Sequence, residues 1–600
     1  MNRPSLQVPV KYLDYYDIDL QNAFADQARS DGLPALVALR QGPIVWLSWT
    51  HGAHACLKCF QFWRFDRLSE TSPYDKRFQS RQDTAAEFCP PFVEPAALSY
   101  IEYSRKNAKG HECVRRINLQ NGETTDHPLI RHDRCDRCSE RYDGSAEDAA
   151  QDPRQTSIPT GQLRGLTLQQ ISQNILPGIV DQRLGPIRHI EHRLSSPILT
   201  VAEASTYAED AYGLFQSGYG RTGVLVDDPI IAAIEAMERY AGMRPRGRRE
   251  IVQGSFDQLR DRAIDPESFI LHSQEQLKEP GFNLAEYAPD LMIDWVWAYS
   301  FRHAQPKLVP ARLAYFGLSR GEAAKSDFVF EVSNGCAAGS TLLEAAIFGL
   351  LEVIERDAFL ASWYSNRPIT RIDSANCDDP SAKALLARLR SHDLIVDVFD
   401  IGVGLPGAAI TVKIQNRSRR LGPSLAFAAA AHVTAGAALN SALLEAATML
   451  EPTDPDLRRH NDKLGRQLLA DPARVKTMQD HTLQCWPEEA VKLRSFNESE
   501  KAPVSWNEFD LSHTVATCNQ HGVFAELLKG TMANCHDVLF IDQSFEPARH
   551  NGLNFAKILA PGLLPMTFGH AYRRISTDRL DRVPGVLVSA SYRNEPHAFP

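Results

Sequence analysis

The chain has 600 residues, of which 43% are hydrophobic and 23% are charged, and its net charge is -9. The composition is that of a globular protein with a large core, and the length predicts two to four domains. The surplus of acids gives no electrostatic reason for nucleic-acid binding, so a small molecule or a peptide is the expected partner. Without a signal-peptide pattern or an apolar run of ~18 residues, we expect a cytoplasmic protein with no membrane contact.

The first part of the chain, residues 1–165, is predicted to be a separate domain of short strands such as Ile44–Trp49. It carries two Cys-x-x-Cys pairs with the spacing of zinc knuckles, and their four thiolates predict a closed, structural zinc site. The alternative is a set of unligated or redox-active thiols. The candidate zinc ligands are Cys56, Cys59, Cys135 and Cys138.

The rest of the chain, residues 166–600, is predicted to be a mixed α/β (α+β) domain, because strand patterns alternate with amphipathic helices. The polar segment 144–160 before it is predicted to be a linker or a mobile loop. A second segment, residues 455–503, is rich in charge and weak in strand signals, and we predict that it is also loop-like.

The phrase Glu-x-x-Glu-Arg occurs twice, at residues 235–239 and 352–356, each time in an apolar helical stretch. Residues i and i+3 share one face of a helix, so each copy directs two carboxylates the same way beside an arginine. Two such helices facing each other would gather four carboxylates and two guanidinium groups. If buried, these acids need cations, and Mg2+ bound with a nucleotide polyphosphate suits both acids and arginines. The alternative is a solvated, ion-paired face.

The first acidic helix is predicted to run from Pro229 to about Tyr240, with Asp228 as its cap. The second is predicted to begin near Ser340 and end near Trp363, after a strand at residues 328–332 and a glycine turn at 334–339. That turn is not a Walker A loop, because no Gly-Lys-Ser/Thr follows its glycines. A third and weaker copy of the acidic motif lies at residues 441–447, after the strand-like segment 426–431, and it retains one glutamate.

On the second acidic helix, four side chains share ~80° of arc at ~100° per residue, beside an apolar stripe. They are Glu344, Phe348, Glu352 and Glu355. Glu344 has a second interpretation, because Thr341-x-x-Glu344 matches a capping box. In that case its carboxylate would serve only the helix N-terminus.

These segments resemble the YcaO-domain family. The resemblance covers about residues 163–600 and is closest to the D-type, streptolysin-associated cyclodehydratases of thiazole/oxazole-modified microcin biosynthesis. It implies a YcaO ATP-binding domain preceded by a partial E1-like domain. The segments that carry it are residues 228–240, 334–339, 344–358, 431–445, 561–565 and the proline-ended tail 596–600.

By motif position, the resemblance implies ATP and Mg2+ as cofactors and a backbone amide of a ribosomal precursor peptide as the activated group. Attack by a Cys, Ser or Thr side chain and loss of phosphate would give a thiazoline or oxazoline. The residues implied to bind the nucleotide or the metal are Glu235, Glu238, Ser340, Glu344, Glu352 and Glu355. Arg239 and Arg356 would contact the phosphates or hold the carboxylates in place. The terminal carboxylate of Pro600 would assist proton transfer; without the family, the tail is interpreted as a frayed terminus.

The chain departs from the family pattern at five positions, whereas all the acids and both arginines of the pattern remain. Ile231 replaces a serine, Tyr219 replaces the lysine of a Gly-Lys-Gly turn, and Ala598 interrupts the alternating prolines. Ser340 and Phe348 stand at the asparagine and glutamine positions of the second helix. These changes concern nucleotide affinity and autonomous activity more than the fold.

Residues 1–165 are too few for both a complete E1-like domain and a leader-binding winged helix, so we expect a separate leader-binding partner protein. A flavin-dependent azoline dehydrogenase is a further candidate partner, and a homodimer is expected by analogy with the family. Two other functions stay open. They are YcaO-type thioamide or amidine formation, and a non-catalytic scaffold, which Ile231 and Phe348 favour.

Overall fold

The computed structural model describes most of the chain beyond residue 112 and several segments before it. The described residues are 10–14, 18–31, 35–50, 55–68, 99–100, 112–132, 135, 137, 144–158, 162–209, 215–245, 249–279, 282–318, 327–515, 519–545, 548–549, 552–586 and 592–599. Helices and several sheets are interleaved, which confirms the predicted mixed α/β class. Within these residues, no helix combines the length and the apolar character needed to span a bilayer.

The strands of the described residues form four sheets. In chain order the strands are β1 Val10–Asp14, β2 Leu36–Gln41, β3 Ile44–Trp49, β4 Glu112–Asn118, β5 Thr124–Leu129, β6 Ile187–Arg193, β7 Val201–Glu209, β8 Phe215–Gly220, β9 Val252–Gly254, β10 Ile293–Ser300, β11 Gln305–Pro310, β12 Cys336–Gly339, β13 Thr370–Asp373, β14 Leu394–Asp400, β15 Ala408–Asn416, β16 Leu425–His432, β17 Val504–Ser505, β18 Leu539–Asp542 and β19 Asn554–Leu559.

The N-terminal sheet has the order β1-β2-β3-β4-β5, and only its β1–β2 pair is parallel. A three-stranded antiparallel sheet, β6-β7-β8, follows. The antiparallel central sheet has the order β11-β10-β18-β19-β12, with β9 against β10. The last sheet has the order β16-β15-β14-β13-β17, and its β15–β16 strands are almost fully buried.

The helices cover these sheets. They are α1 Ile18–Ser30, α2 Leu57–Leu68, α3 Ala146–Ala149, α4 Leu168–Asn174, α5 Leu176–Ile179, α6 Asp228–Met243, α7 Phe256–Leu259, α8 Gln274–Leu277, α9 Ala311–Ala314, α10 Leu342–Tyr364, α11 Pro380–Ser391, α12 Ala435–Ala447, α13 Pro455–Ala470, α14 Met478–Leu483, α15 Ala490–Leu493, α16 Trp506–His513, α17 Gln520–Met532 and α18 Thr577–Asp581. Short 3-10 helices lie at Pro153–Thr156, Pro266–Ser268, Ser374–Asn376, Pro472–Arg474 and His570–Tyr572.

Helix α10 is the centre of the largest core, and most of its residues are buried. It packs against β12 and β19 of the central sheet, against β16 of the last sheet and against α17. A helix that is apolar on nearly every side requires such all-round cover. Helix α6 packs on β7 and β8 of the three-stranded sheet. Helix α6 also contacts β12 and β19, so the central sheet touches both acidic helices.

The structure corrects three of the predicted elements. Residues 328–332 are not a strand, because buried arginine side chains, not a neighbouring strand, bond the carbonyls of Val329 and Phe330. Residues 336–339, predicted as a turn, form strand β12 on β19. Residues 455–503 are largely helical, with α13, α14 and α15 in place of a loop.

The predicted linker and helix caps also need correction. The described part of the linker is ordered by short helices, and the Thr156 hydroxyl accepts a hydrogen bond from the Leu343 amide of α10. Asp228 is not a cap. It is the fully buried first residue of α6, and its carboxylate accepts from the hydroxyls of Thr200 and Thr222 and from the Thr222 amide.

Candidate active site

The first acidic helix lies unusually close to strand β8. A Cβ atom at Gly218 or Gly220 would collide with the backbone of α6, so only glycine permits this approach. The close packing brings the Tyr219 amide to 2.7 Å from Glu235 Oε2, to which it donates. Arg239 donates to Glu235 Oε1 at 2.9 Å and to the Ser217 carbonyl at 2.7 Å. Glu235 and Arg239 are thus locked to each other and to β8.

The second acidic helix, α10, also carries an arginine between carboxylates. The Arg356 guanidinium lies 3.5 Å from Glu352 Oε1 and 3.5 Å from Glu355 Oε1. Its other neighbour is the ring of Phe599, whose centroid is 4.5 Å away. Arg356 therefore joins two carboxylates of α10 to the C-terminal tail.

Electrostatics shows that the acids of the two helices belong to one cluster. Burial raises the pKa of Glu238 well above its ordinary value, and the charges of Glu352 and Glu235 raise it further. Burial also raises the pKa of Glu352, and the charge of Glu445 on α12 adds to this. Burial raises the pKa of Glu355 to about 8, although Arg356 opposes the shift. The predicted gathering of carboxylates from both helices is present, with Glu445 as an additional member.

Glu344 lies at the start of α10 and binds more than its own helix. The Thr341 hydroxyl caps the helix by accepting from the Glu344 amide, but the carboxylate does not complete the capping box. It accepts instead from the Ser340 hydroxyl at 2.6 Å, the Gly165 amide at 3.0 Å and Arg164 at 3.1 Å. Glu344 thus ties residues 164–165 to the second acidic helix.

A cavity of about 380 Å3 opens beside these acids, which is within the roughly 300–1,000 Å3 of small-molecule pockets. One wall is aromatic: the Arg164 guanidinium lies 3.5 Å from the centroid of the Phe348 ring, and the centroid of the His432 ring lies 6.1 Å from it. Burial, followed by the nearby Arg164 charge, lowers the pKa of His432 to about 4. The residues lining the cavity include Arg164, Phe348, Glu352, Glu355, His432 and Ser441.

The residues around the cavity fit a bound cation. Glu355 Oε1 is buried and accepts no hydrogen bond among the described residues, although the Arg356 guanidinium is near. The raised pKa values of Glu238, Glu352 and Glu355 show that the ionised forms lack sufficient neutralising charge. A divalent cation bound by carboxylate oxygens would supply that charge.

The C-terminal tail is not frayed. His597, Ala598 and Phe599 are each at most 3% exposed, and the Phe599 ring contacts Phe359 of α10 at 4.8 Å as well as Arg356. Pro600, the predicted proton-transfer residue, lies outside the described residues.

Three of the four predicted zinc ligands lie together in the N-terminal part. Cys56, Cys59 and Cys135 are buried, and their sulfur atoms lie within 4.8 Å of one another. The Cys56–Cys135 and Cys56–Cys59 sulfur distances are 3.6 and 3.9 Å. Tetrahedral zinc with ~2.3 Å Zn–S bonds has sulfur atoms about 3.8 Å apart, so the three thiols fit such an ion. Cys138 lies outside the described residues.

Several residues at the site carry no motif in the sequence. Arg164 contacts both Glu344 and Phe348, and Arg221 lies 3.6 Å from Glu445. Both arginines are in loops, where no periodic pattern reveals which way a side chain points. Glu445 does have a sequence signal, because it is the glutamate of the weaker third copy of the acidic motif at residues 441–447.

Comparisons with known proteins agree with this site. The family model described as YcaO cyclodehydratase, ATP- and Mg2+-binding, matches residues 229–564, which contain both acidic helices. An uncharacterized protein of Methanothermobacter thermautotrophicus is 23% identical over 381 residues, covering 64% of this chain and 89% of that protein.

Two solved structures share the fold. One is a heterocyclase in complex with substrate and cofactor, with a TM-score of 0.71 and 19% identity over 97% of this chain and 80% of that one. The other is the heterocyclase TruD, with a TM-score of 0.63 and 18% identity over 99% of this chain and 80% of that one. Because the family model covers more than half of its length, the chain belongs to the YcaO family.

Proposed function

We propose that this chain is an ATP-dependent cyclodehydratase that converts Cys, Ser or Thr residues of a ribosomally made precursor peptide into thiazolines or oxazolines. The observation that carries the proposal is the cluster of partly buried acids and arginines on α6 and α10, which borders a cavity and lies beside the buried C-terminal tail. Bound ATP would supply the γ-phosphoryl group that turns the amide oxygen into a leaving group.

The carboxylates and arginines of the cluster have different tasks in this proposal. Glu238, Glu352 and Glu355 would hold Mg2+, because burial disfavours their ionised forms and a bound cation would offset that charge. Glu235 and Glu344 would order the site, since each already holds an arginine or a backbone amide. Positioning and charge neutralisation are the main contributions that a protein makes to phosphoryl transfer.

The two arginines also have different tasks in this proposal. Arg239 is held by Glu235 and the β8 backbone, which makes it a rigid positive group at the edge of the cluster. Arg356 lies between Glu352, Glu355 and Phe599, so it faces both the metal side of the site and the tail. We assign Arg356 to contact with the transferring phosphate, and the terminal carboxylate of Pro600 to proton transfer at the amide.

The remaining parts of the proposal concern zinc and partners. We assign a structural zinc to Cys56, Cys59, Cys135 and Cys138, on the sulfur distances of the first three. A separate protein would capture the leader peptide, by analogy with the family. A flavin-dependent dehydrogenase that oxidises the azolines, and a homodimeric state, belong to the same proposal by analogy.

A non-catalytic scaffold is the second candidate, and one observation favours it. Phe348 and the Arg164 guanidinium stacked on it occupy the cavity wall where the family resemblance expects a polar amide. If this stack excluded the nucleotide, the acid cluster would have only a structural role. A test must therefore measure turnover and not binding alone.

The test is ATP hydrolysis by the purified chain with its precursor peptide and leader-binding partner, together with the mass of the peptide product. We expect turnover and the loss of one water for each modified residue. Glu355→Ala should reduce turnover at least about 100-fold, because a metal-bound carboxylate contributes several kcal/mol in a dry site. An unchanged rate in that variant would contradict the assignment.

Glu489→Ala is the matched control. Glu489 is a surface carboxylate that pairs with Arg466 at 2.9 Å, so the change removes the same group from an exposed ion pair. We expect no change in turnover, because exposed ion pairs contribute little. If sulfur enters the peptide and no water is lost, the product is a thioamide and the azoline proposal fails.

A further inference from the structure

The tail is held along α10 by successive contacts. The Arg593 amide donates to the Tyr364 carbonyl at 2.8 Å, and the Trp363 indole donates to the Glu595 carbonyl at 2.9 Å. These two bonds tie the tail to the C-terminal end of α10. The next contact, two residues before Phe599, is made by a different element.

That element is α14, in the region that the sequence predicted to be a loop. His481 Nδ1 lies 2.8 Å from the His597 carbonyl oxygen, and the Gln484 side-chain amide donates to the same oxygen at 2.7 Å. The two imidazole rings are stacked with centroids 4.1 Å apart. We call these three residues, His481, Gln484 and His597, the tail clamp. All three are at most 2% exposed.

The hydrogen bonds determine the protonation of both rings. The Gly569 amide can only donate, so His481 Nε2, 3.0 Å away, must accept, and Nδ1 must carry the proton that goes to His597. His597 Nε2 faces the Thr567 carbonyl at 2.9 Å and must therefore donate. His481 has no acceptor left for a second proton, so it is a neutral donor of defined direction.

The clamp has little other charge around it. His481 is near the charged Asp480 and Arg494 and the imidazoles of His570 and His597, and burial is the main cause that lowers its pKa to about 4. Arg494 itself donates to Gln484 Oε1 at 2.6 Å, which turns the amide NH2 of Gln484 toward the tail. Both donors to His597 are therefore oriented by the groups behind them.

We propose that His481 and Gln484 are positioning residues, which hold the His597 carbonyl and thereby place the C-terminal end of the chain against Arg356. The proposal rests on the proposed function in one respect, namely that this end takes part in the reaction. The physical claim is independent of it. Without the two donors, the buried carbonyl of His597 would lose its partners, and the end of the tail would leave the Arg356 side of α10 more often.

Two substitutions of His481 separate its two hydrogen bonds. In His481→Asn the side-chain NH2 can reach the position of Nδ1 and keep the bond to His597. In His481→Gln the amide oxygen reaches the position of Nε2 and keeps the bond to Gly569, but residue 481 then offers no donor to the tail, and of the two donors Gln484 remains. Both variants lose the imidazole stack, and they differ in which hydrogen bond is kept: the one to His597 in His481→Asn, or the one to Gly569 in His481→Gln. His513→Gln is the control, because His513 Nδ1 also bonds a carbonyl, that of Phe509 at 3.0 Å, and its ring stacks on an aromatic ring.

The first measurement is amide hydrogen exchange of the peptides that contain residues 592–599, in the full chain. We expect about tenfold faster exchange in His481→Gln, and rates within about twofold of the parent in His481→Asn and His513→Gln. The second measurement is ATP turnover with precursor peptide. We expect kcat to fall in His481→Gln with KM for ATP unchanged, and we expect His481→Asn to restore it.

Unchanged tail exchange in His481→Gln would overturn the proposal. Faster exchange together with an unchanged kcat would also overturn it, since the tail would then be held without a catalytic purpose. A parent protein that has no turnover at all refutes the proposed function instead. The exchange comparison of Gln with Asn then decides on its own whether the clamp holds the tail.

Discussion

Binding of Mg2+ and nucleotide to the acid cluster should release protons, and Glu355 sets the amount. Burial raises the pKa of Glu355 to about 8, so at pH 7 this carboxyl is about 90% protonated by simple titration. A metal ligand must be ionised, so binding has to expel that proton. The expected release from this one group is about 0.9 proton at pH 7 and about 0.1 proton at pH 9.

The assay is titration calorimetry in buffers of different ionisation enthalpy, since the slope of the heat against buffer enthalpy counts the protons. Glu355→Gln has no proton to lose, so the release at pH 7 should fall by about 0.9, and at pH 9 by about 0.1. Glu355, Glu352 and Glu445 influence one another, which makes the difference a property of the cluster. Glu489→Gln, on the surface, should leave the count unchanged.

Two results would refute the reasoning. One is an equal proton release in the parent and in Glu355→Gln at pH 7, because Glu355 would then not be ionised on binding. The other is a release that does not decrease from pH 7 to pH 9. Either result would remove the charge argument for a metal at this carboxylate.

Three further predictions concern stability and zinc. Arg579 and Asp357 form a fully buried ion pair. Arg579→Met should therefore lower the free energy of unfolding in urea by about 3–5 kcal/mol, and the added change Asp357→Leu should recover most of that loss. Equal losses in the single and double variants would contradict the pairing. Elemental analysis should find about one zinc ion per chain. The zinc should be absent from Cys135→Ser and present in Cys485→Ser. Zinc retained by Cys135→Ser would contradict the site. Burial lowers the pKa of His481 and of His432 to about 4, so their contribution to stability is complete above pH ~6.5 and is lost as pH falls toward 4. The unfolding midpoint should therefore fall with pH across this range, by less in His481→Asn, and a midpoint independent of pH would contradict the buried neutral state.

The acidic helices could be predicted from sequence because their signals are local. The carboxylates of α10 share one side at helical spacing, and the apolar residues beside them are buried, as expected of an amphipathic core helix. The family resemblance then added the function. Strand β3 was predicted with its observed bounds for a similar reason, since Ile44–Trp49 is a short apolar run after a turn.

Helix α13 was missed because its buried side is not apolar. Arg458, Asp462, Gly465 and Leu468 are buried at helical spacing, but three of the four give no hydrophobic signal. Asp462 is partnered by Arg419, and Gly465 is required because a Cβ there would strike the Leu483 carbonyl of α14. The start signal, Asp454 before Pro455, was present in the sequence. The helical period of α13 is not visible as a hydrophobic pattern, because polar contacts take the place of apolar packing on its buried side.

Two departures from the family pattern, Phe348 and Tyr219, place an aromatic ring near arginines of the site. Phe348 removes an amide from α10, but its ring supports the Arg164 guanidinium, which Glu344 also holds. Tyr219 removes a lysine, and the guanidinium groups of Arg193 and Arg239 lie 5.9 and 5.8 Å from the centroid of its ring. Arginines beside aromatic rings therefore supply positive charge near the acid cluster. Because Arg164 and Arg239 are each also held by a glutamate, these substitutions should affect how the nucleotide is oriented as well as how tightly it binds.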